Sequence, residues 1–205
     1  AQIAYWPNTV PKEPKGIDDS LRGIYREFEL VSNWLLRIFA HSLNLREDYF
    51  TDKIDRHFSI LSCHNYPALI EPPRPGQLRT GAHTDFGALT ILAMTDASGG
   101  LEVKMPDGHW RGVQAGRNEL VVNLGDMMAR WTNGRWRSTL HRVANPKNLA
   151  DATSRRQSIG YFMHPNFDTL VECLPTCLDP GEQPSYGPIT AGEHIAMKIA
   201  KSHDV

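Results

Sequence analysis

Three side chains of the sequence have the chemistry of a metal-binding set. His83 and Asp85 are two residues apart, and alternate residues of an extended strand point to the same face, so this imidazole and this carboxylate can converge on one ion. A second imidazole would come from His141, in a later segment that also has the character of a strand. Two histidines and one carboxylate occupy one face of an octahedral ion and leave three positions open for reactants. We therefore predict a metal centre at His83, Asp85 and His141.

The surroundings of the first pair strengthen this prediction. A histidine two residues before an acid is by itself a weak signal, because about one such pair is expected by chance in a chain of this composition. Here the pair comes just before Ala88–Leu92, an apolar run typical of a buried strand. Two neighbouring glycines, Gly81 and Gly87, are expected to leave space around the pair.

A second group of residues could bind a carboxylate. Arg156 and Ser158 share one face of a predicted strand, which places a guanidinium fork beside a hydroxyl donor. Tyr66, at the end of an earlier strand, could add a phenolic donor to the same anion. Structural alternatives remain for two of them. Arg156 could be an ordinary paired surface arginine, as its neighbour Arg155 is expected to be, and Tyr66 could be a packing residue.

Other residues whose side chains could take part in binding or catalysis are better interpreted as structural. Cys173 and Cys177 have a spacing compatible with zinc, but no second cysteine pair follows them. Arg79 could pair with a substrate carboxylate, although a solvated loop arginine is the simpler interpretation. Isolated histidines are interpreted as surface residues or hydrogen-bond partners, and these include His41, His57, His109, His164 and His194.

The composition restricts the class of protein. The 205 residues, 40% apolar and 22% charged, are those of an ordinary globular chain with ample length for one core. With 22 basic and 23 acidic residues the formal net charge is -1, so no basic field is available to hold a nucleic acid or an anionic membrane. The apolar stretches are far shorter than the roughly 20 residues that span a bilayer. Three cysteines do not make a disulfide framework, which predicts a reducing, cytoplasmic compartment.

Hydrophobic periodicity predicts the helices. Apolar residues recur every three or four positions over Leu21–Phe39, which indicates a long amphipathic helix that begins at an N-cap within Asp18–Ser20 and ends at about 41–45. A shorter helix is expected around Arg46–Ile54, and a C-terminal helix from about Ala191.

Short segments between turn signals predict the strands. Many short strands with irregular spacing favour a sandwich or jelly roll over alternating βαβ units. The predicted strands are His57–Tyr66, Ala88–Met94, Leu101–Lys104, Trp110–Val113, Glu119–Asn123, Thr139–Ala144 and Arg156–Met163.

In this order the motifs resemble the isopenicillin N synthase-like branch of the Fe(II)/2-oxoglutarate-dependent oxygenases. The similarity runs from about Trp6 to Glu193, and the His83-to-His141 spacing resembles this branch rather than the taurine-dioxygenase branch. The segments that carry the resemblance are Asn65–Pro67, Gly81–Leu92, Gly99–Val103, Val121–Val143 and Arg155–Phe162.

This resemblance implies a fold and a set of ligands. The fold would be mainly β with helical support: a double-stranded β-helix, or distorted jelly roll, braced by the long N-terminal helix. Arg156 and Ser158 would hold the distal carboxylate of 2-oxoglutarate, with Tyr66 a further contact. Fe(II) would be bound by His83, Asp85 and His141.

The resemblance also implies an activity. The protein would be a dioxygenase that uses O2 and couples oxidative decarboxylation of 2-oxoglutarate to hydroxylation, desaturation or cyclisation of a small organic substrate. Two alternatives stay open. One is a 2-oxoglutarate-independent iron oxidase of the isopenicillin N synthase or aminocyclopropane-carboxylate oxidase type. The other is a non-catalytic metal-binding jelly-roll module. Neither a nucleic acid nor a membrane is an expected partner.

We expect residues 1–205 to form a single domain. A lead-in and helices would occupy 1–56, the jelly-roll core 57–190 and the C-terminal helix 191–205. Family members usually carry roughly a hundred residues before the segment that corresponds to 5–7 here, about the length of a small domain. We expect that N-terminal region, which commonly contributes to the substrate entrance, to be absent.

Overall fold

The computed structural model describes residues 8–11, 13–69, 71–95, 100–146 and 155–203, with the side chain of His203 excepted. The helices in this part of the chain are α1 (Ile17–Ser42), α2 (Thr51–Ile54), α3 (Asp126–Trp131) and α4 (Ala191–His203). The strands are β1 (Ile60–Tyr66), β2 (Thr80–His83), β3 (Leu89–Met94), β4 (Leu101–Lys104), β5 (Trp110–Gly112), β6 (Val121–Leu124), β7 (His141–Val143), β8 (Arg156–Met163), β9 (Leu170–Val171) and β10 (Ile189–Thr190).

Two four-stranded antiparallel sheets form the body of the fold. The larger sheet has the order β1-β8-β3-β6 and the smaller one β2-β7-β4-β5, while β9 and β10 pair with each other. Apart from the β4–β5 hairpin, neighbours in the two sheets are not consecutive in sequence, as the crossing connections of a jelly roll require. The predicted fold class, mainly β with helical support, is confirmed.

Helix α1 packs on the outer face of the larger sheet. Tyr25 and Phe28 lie edge-on to Tyr161 of β8, with ring centroids 5.2 and 6.1 Å away. Alternate residues of a strand face opposite ways, so Arg156 and Ser158 of the same strand face the interior on the other side. The buried residues of α1 recur every four positions, as the apolar periodicity predicted, and are Phe28, Ser32, Leu36 and Ala40.

The start of α1 differs from the prediction. The helix begins after Gly16, which has a left-handed backbone with φ of 82° and no side-chain cap. Asp18 and Asp19 lie in the first turn, where their charges still favour the positive end of the helix dipole. Ser20 is fully inside the helix and donates its hydroxyl to the Gly16 carbonyl at 3.0 Å. A glycine that reaches positive φ without strain therefore replaces the expected Asp or Ser cap.

Most predicted strands are present with shifted ends. Leu101–Lys104 and Arg156–Met163 have the predicted bounds, whereas β1 begins at Ile60 and His57 forms only an isolated bridge with Asn166. The helix expected at Arg46–Ile54 is limited to the single turn of α2. Helix α3 was not predicted. It has only six residues and four of them are buried, so its sequence shows no amphipathic periodicity.

Two glycines allow the segment after the metal motif to pack closely. A Cβ added to Gly87 would lie 2.3 Å from the Met163 carbonyl oxygen and 2.5 Å from Cδ2 of His164. A Cβ added to Gly125 would lie 2.2 Å from the Gly87 carbonyl oxygen. Gly81, in contrast, has nothing within 4 Å of such an atom. The expectation that Gly87 leaves open space is therefore wrong, because neighbouring backbone fills that space.

Replacing Gly87 with alanine is expected to destabilise the protein by about 2–3 kcal/mol, because the new methyl group meets backbone that cannot move aside as a side chain could. Chemical denaturation of the variant measures the change. Gly112→Ala is the matched control, since a Cβ at that strand position meets nothing within 4 Å. Equal stability of the two variants would contradict the close packing at Gly87.

Among the described residues no helix has both the length and the apolar character needed to cross a membrane.

Candidate metal centre

His83, Asp85 and His141 come together although they are far apart in sequence. β2 and β7 pair antiparallel with His83 opposite His141, which places the two imidazoles side by side with ring centroids 4.3 Å apart. Oδ1 of Asp85 lies 3.8 Å from Nε2 of His83 and 3.6 Å from Nε2 of His141. One ligand atom from each residue lies within 4.8 Å of the other two. A first-row divalent ion with bonds of about 2.1 Å needs only a small inward movement of these atoms.

Backbone carbonyls orient both imidazoles. Nδ1 of His83 is 2.9 Å from the Gly81 carbonyl, and Nδ1 of His141 is 3.0 Å from the Thr139 carbonyl. A carbonyl only accepts, so Nδ1 of each ring carries the proton and the Nε2 lone pair is available to a metal. The His83 side chain is 42% exposed and that of Asp85 only 4%, so one side of the centre is open.

Two residues of the larger sheet hold the carboxylate in place. Thr90 of β3 donates its hydroxyl to Oδ2 of Asp85 at 2.6 Å, and Asn123 of β6 donates its amide to the same oxygen at 2.7 Å. Oδ1 remains directed to the histidines. Thr90 and Asn123 were not among the predicted site residues. The available signal was a polar residue inside an otherwise apolar strand, in ALTIL and VVNL.

The N-terminal end of α3 fixes the segment that carries Asp85. The backbone N–H of Asp126 donates to the Asp85 carbonyl at 2.8 Å, and that of Met127 donates to Gly87 at 3.0 Å. The Asp126 carboxylate accepts from Thr84 at 3.3 Å and pairs with Lys198 of α4 at 2.6 Å. Burial opposes ionisation of Asp126, but these partners outweigh it and hold the pKa of its carboxyl below the ordinary value.

Replacing Thr90 with valine is expected to weaken metal binding about tenfold. Valine keeps the shape of threonine but leaves Oδ2 of Asp85 with one donor fewer, and residues that orient a ligand typically contribute 10- to 100-fold to affinity. Anaerobic titration with Fe(II), or calorimetry with Mn(II), measures the change. Thr95→Val is the control, because the Thr95 hydroxyl bonds backbone atoms of Gln157 rather than a proposed metal ligand. Unchanged affinity in Thr90→Val would show that Thr90 does not orient the ligand.

Arg156 reaches from the larger sheet towards the smaller one. Arg156 and Val143 meet next to Gly100. A Cβ added to Gly100 would lie 3.1 Å from Cδ of Arg156 and 3.7 Å from Cγ1 of Val143. Val143 is two residues beyond His141 on β7, so the guanidinium enters the same interior as the metal triad. Arg156 is 3% exposed and Arg155 is exposed, which is the inward orientation that strand alternation predicts for Arg156.

No carboxylate among the described residues pairs with Arg156. Its NH2 group lies 3.2 Å from the sulfur of Met94, and its guanidinium lies over the Tyr66 ring at 5.3 Å. Burial lowers the pKa of Arg156, and the nearby Tyr66 hydroxyl opposes that shift. Because arginine stays protonated in proteins, a buried cation remains here without a counter-ion. An anionic ligand fits this place.

The other two predicted pocket residues lie around Arg156. Ser158 is 4% exposed and follows Arg156 on the same face of β8. Tyr66 is opposite Arg156 in the β1–β8 register, and its hydroxyl lies 3.4 Å from that of Thr80. Tyr66 thus packs against Arg156, and its role as a donor to the bound anion stays a prediction.

Within the described ranges the triad is the only cluster of histidines, cysteines and acids that could hold a metal. Cys173 and Cys177 are free thiols outside it. Arg79 is partly buried rather than solvated, and donates to the Pro67 carbonyl at 2.9 Å. His57 contacts Glu29 at 2.6 Å, and burial lowers the pKa of His164 to about 4.

Two histidines and a carboxylate inside a jelly roll are the ligand set typical of non-haem iron oxygenases, and the buried arginine beside them has the chemistry to bind an acidic ligand. The model of the 2OG-Fe(II) oxygenase superfamily matches residues 57–165, and the chain belongs to this family.

Individual relatives agree with this assignment. The chain is 34% identical to the 2-oxoglutarate-Fe(II) type oxidoreductase hxnY of Emericella nidulans, over 97% of this chain and 55% of the relative. It is 31% identical to the 2-oxoglutarate-dependent dioxygenase htyE of Aspergillus rugulosus, over 92% of this chain and 59% of the relative. Its fold matches the crystal structure of a full-length Neurospora crassa protein in complex with alpha-KG, with a TM-score of 0.87 and 31% identity. The match covers 95% of this chain and 62% of the Neurospora chain. The chain thus spans little more than half the length of the curated relatives.

Proposed function

We propose that the protein is an Fe(II)- and 2-oxoglutarate-dependent dioxygenase that oxidises a small organic molecule by hydroxylation, desaturation or cyclisation. The observation that carries the proposal is a buried, unpaired Arg156 in the same interior as three converging metal ligands. The names of the relatives, and the alpha-KG in the neighbouring structure, support the same co-substrate.

Each residue has a distinct task in this proposal. His83, Asp85 and His141 hold Fe(II), while Thr90 and Asn123 keep Oδ1 of Asp85 directed at it. When bound, Fe(II) and 2-oxoglutarate supply the oxidative chemistry with O2.

Arg156 holds the distal carboxylate of 2-oxoglutarate, with Ser158 and Tyr66 as additional donors. The clamp selects 2-oxoglutarate over 2-oxo acids that lack a second carboxylate, because an unpaired buried guanidinium is costly.

The decisive experiment is oxygen uptake with and without 2-oxoglutarate, with succinate quantified in parallel. The proposal expects oxygen consumption that requires 2-oxoglutarate and yields succinate. Turnover without 2-oxoglutarate or succinate would favour the iron oxidase alternative, which the relatives' names do not favour. Metal and 2-oxoglutarate binding with no oxygen consumption, across varied small substrates, would favour the non-catalytic module.

Several finer assignments belong to the same proposal. The isopenicillin N synthase-like branch is supported by the short interval between His83 and His141. A single domain over the whole chain is supported by one hydrophobic core that joins α1, the larger sheet, α3 and α4. A cytoplasmic location is supported by the three cysteines, all of them free thiols. Fractionation of cells that express a tagged chain tests the location.

A further inference from the structure

A cleft between α3 and α4 carries an excess of positive charge. This α3–α4 cleft has a volume of about 580 Å³, and none of the three metal ligands lines it. His194, Lys198 and Lys201 lie on one face of α4 at intervals of four and three residues. Besides Lys198 and Lys201, the cations that line the cleft are Arg130 and Arg137.

Only one of these cations has an acidic partner among the residues that the structure describes. Asp126 is the single acid lining the cleft, and its carboxylate pairs with Lys198 at 2.6 Å. Arg130 donates to the Gly187 carbonyl at 2.6 Å, which leaves its charge without a counter-ion. No carboxylate of the described chain pairs with Arg137 or Lys201. The lining therefore offers three cationic groups to a ligand.

Buried polar atoms in the same cleft have no hydrogen-bond partner. His194 is 3% exposed, and neither of its ring nitrogens meets hydrogen-bonding geometry with any described residue. Nε of Arg130 is likewise buried without a partner. Burial and the charge of Arg130 lower the pKa of His194 to about 4, against an opposing interaction with the Phe86 backbone, so its ring is neutral at neutral pH. In native proteins nearly all buried polar atoms are satisfied by another protein group, an ordered water or a bound ligand.

We propose that the α3–α4 cleft is a binding site for a small multivalent oxyanion, either a phosphate group or a dicarboxylate. Arg130, Arg137 and Lys201 supply the charge, and the neutral ring of His194 lines the same cleft. Charge-assisted hydrogen bonds from arginine suit the planar or tetrahedral oxygens of both ligand types.

The test measures binding of inorganic phosphate and, separately, of succinate to the full chain. Calorimetry and thermal unfolding are run at constant ionic strength with chloride as the reference, on protein that has been stripped of metal and then dialysed free of the chelator, so that neither a bound metal nor the chelator interferes. The succinate arm is repeated on Arg156→Ala, which removes the other carboxylate pocket. At least one of the two anions is expected to bind with a dissociation constant near roughly 1 mM and to raise the unfolding midpoint.

A double variant locates the site. Arg137→Ala/Lys201→Ala removes two exposed side chains of the cleft and is expected to weaken binding at least about tenfold. Arg111→Ala/Arg117→Ala removes the same charge from exposed positions elsewhere and should bind as the parent does. The proposal is overturned if neither anion binds at roughly 10 mM, or if the two double variants bind equally well.

Discussion

Replacing Asp85 with alanine is expected to abolish Fe(II) binding and, with it, all 2-oxoglutarate turnover. Asp85 supplies the one negative charge among the three proposed ligands, and its Oδ1 lies between Nε2 of His83 and Nε2 of His141. Residues that only orient a ligand contribute 10- to 100-fold to metal affinity, so loss of the ligand itself should lower affinity by more than about 100-fold. Anaerobic Fe(II) titration and oxygen uptake measure the two effects.

Two further variants separate loss of the ligand from misfolding. Asp85→Asn keeps the shape of the side chain and an oxygen that Thr90 and Asn123 can bond, so it should fold and still bind Fe(II) poorly. Asp107→Ala removes an acid from an exposed turn and should leave metal affinity unchanged. A folded Asp85→Asn protein with the parent's Fe(II) affinity would remove Asp85 from the metal centre.

The second large effect is expected on co-substrate binding. Arg156→Ala should weaken 2-oxoglutarate binding by about 100-fold, since two charge-assisted hydrogen bonds together contribute roughly 3 kcal/mol. Fe(II) affinity should be preserved, because Arg156 is not a ligand. The weak visible charge-transfer band of the anaerobic Fe(II)–2-oxoglutarate complex allows both affinities to be titrated, and the band should be absent in His83→Ala.

The neighbouring arginine provides the control. Arg155→Ala removes an exposed guanidinium from the residue just before β8 and should leave 2-oxoglutarate affinity unchanged. Arg156→Lys keeps the charge but not the planar fork, and an intermediate loss of about tenfold is expected. If Arg156→Ala binds 2-oxoglutarate as tightly as Arg155→Ala does, the carboxylate pocket lies elsewhere.

Some features could be predicted because they depend on local spacing. Strand alternation alone predicts that Arg156 points inward and Arg155 outward, and the exposures agree. The four-residue periodicity of α1 predicts its buried face. The predicted start of α1 was wrong because the residue before the helix is Gly16, which has a positive φ. This backbone state depends on how the chain approaches the helix.

The residue types and their spacing determined the fold class and the members of the two candidate sites, because side-chain direction in a strand and charge chemistry are properties of short segments. The tertiary structure alone decided what supports these sites. Thr90 and Asn123 reach Asp85 only because strands of the larger sheet pass behind the metal motif. Gly87 and Gly125 are needed only because two distant backbone segments touch. Such contacts join residues that are remote in sequence, so no local pattern encodes them.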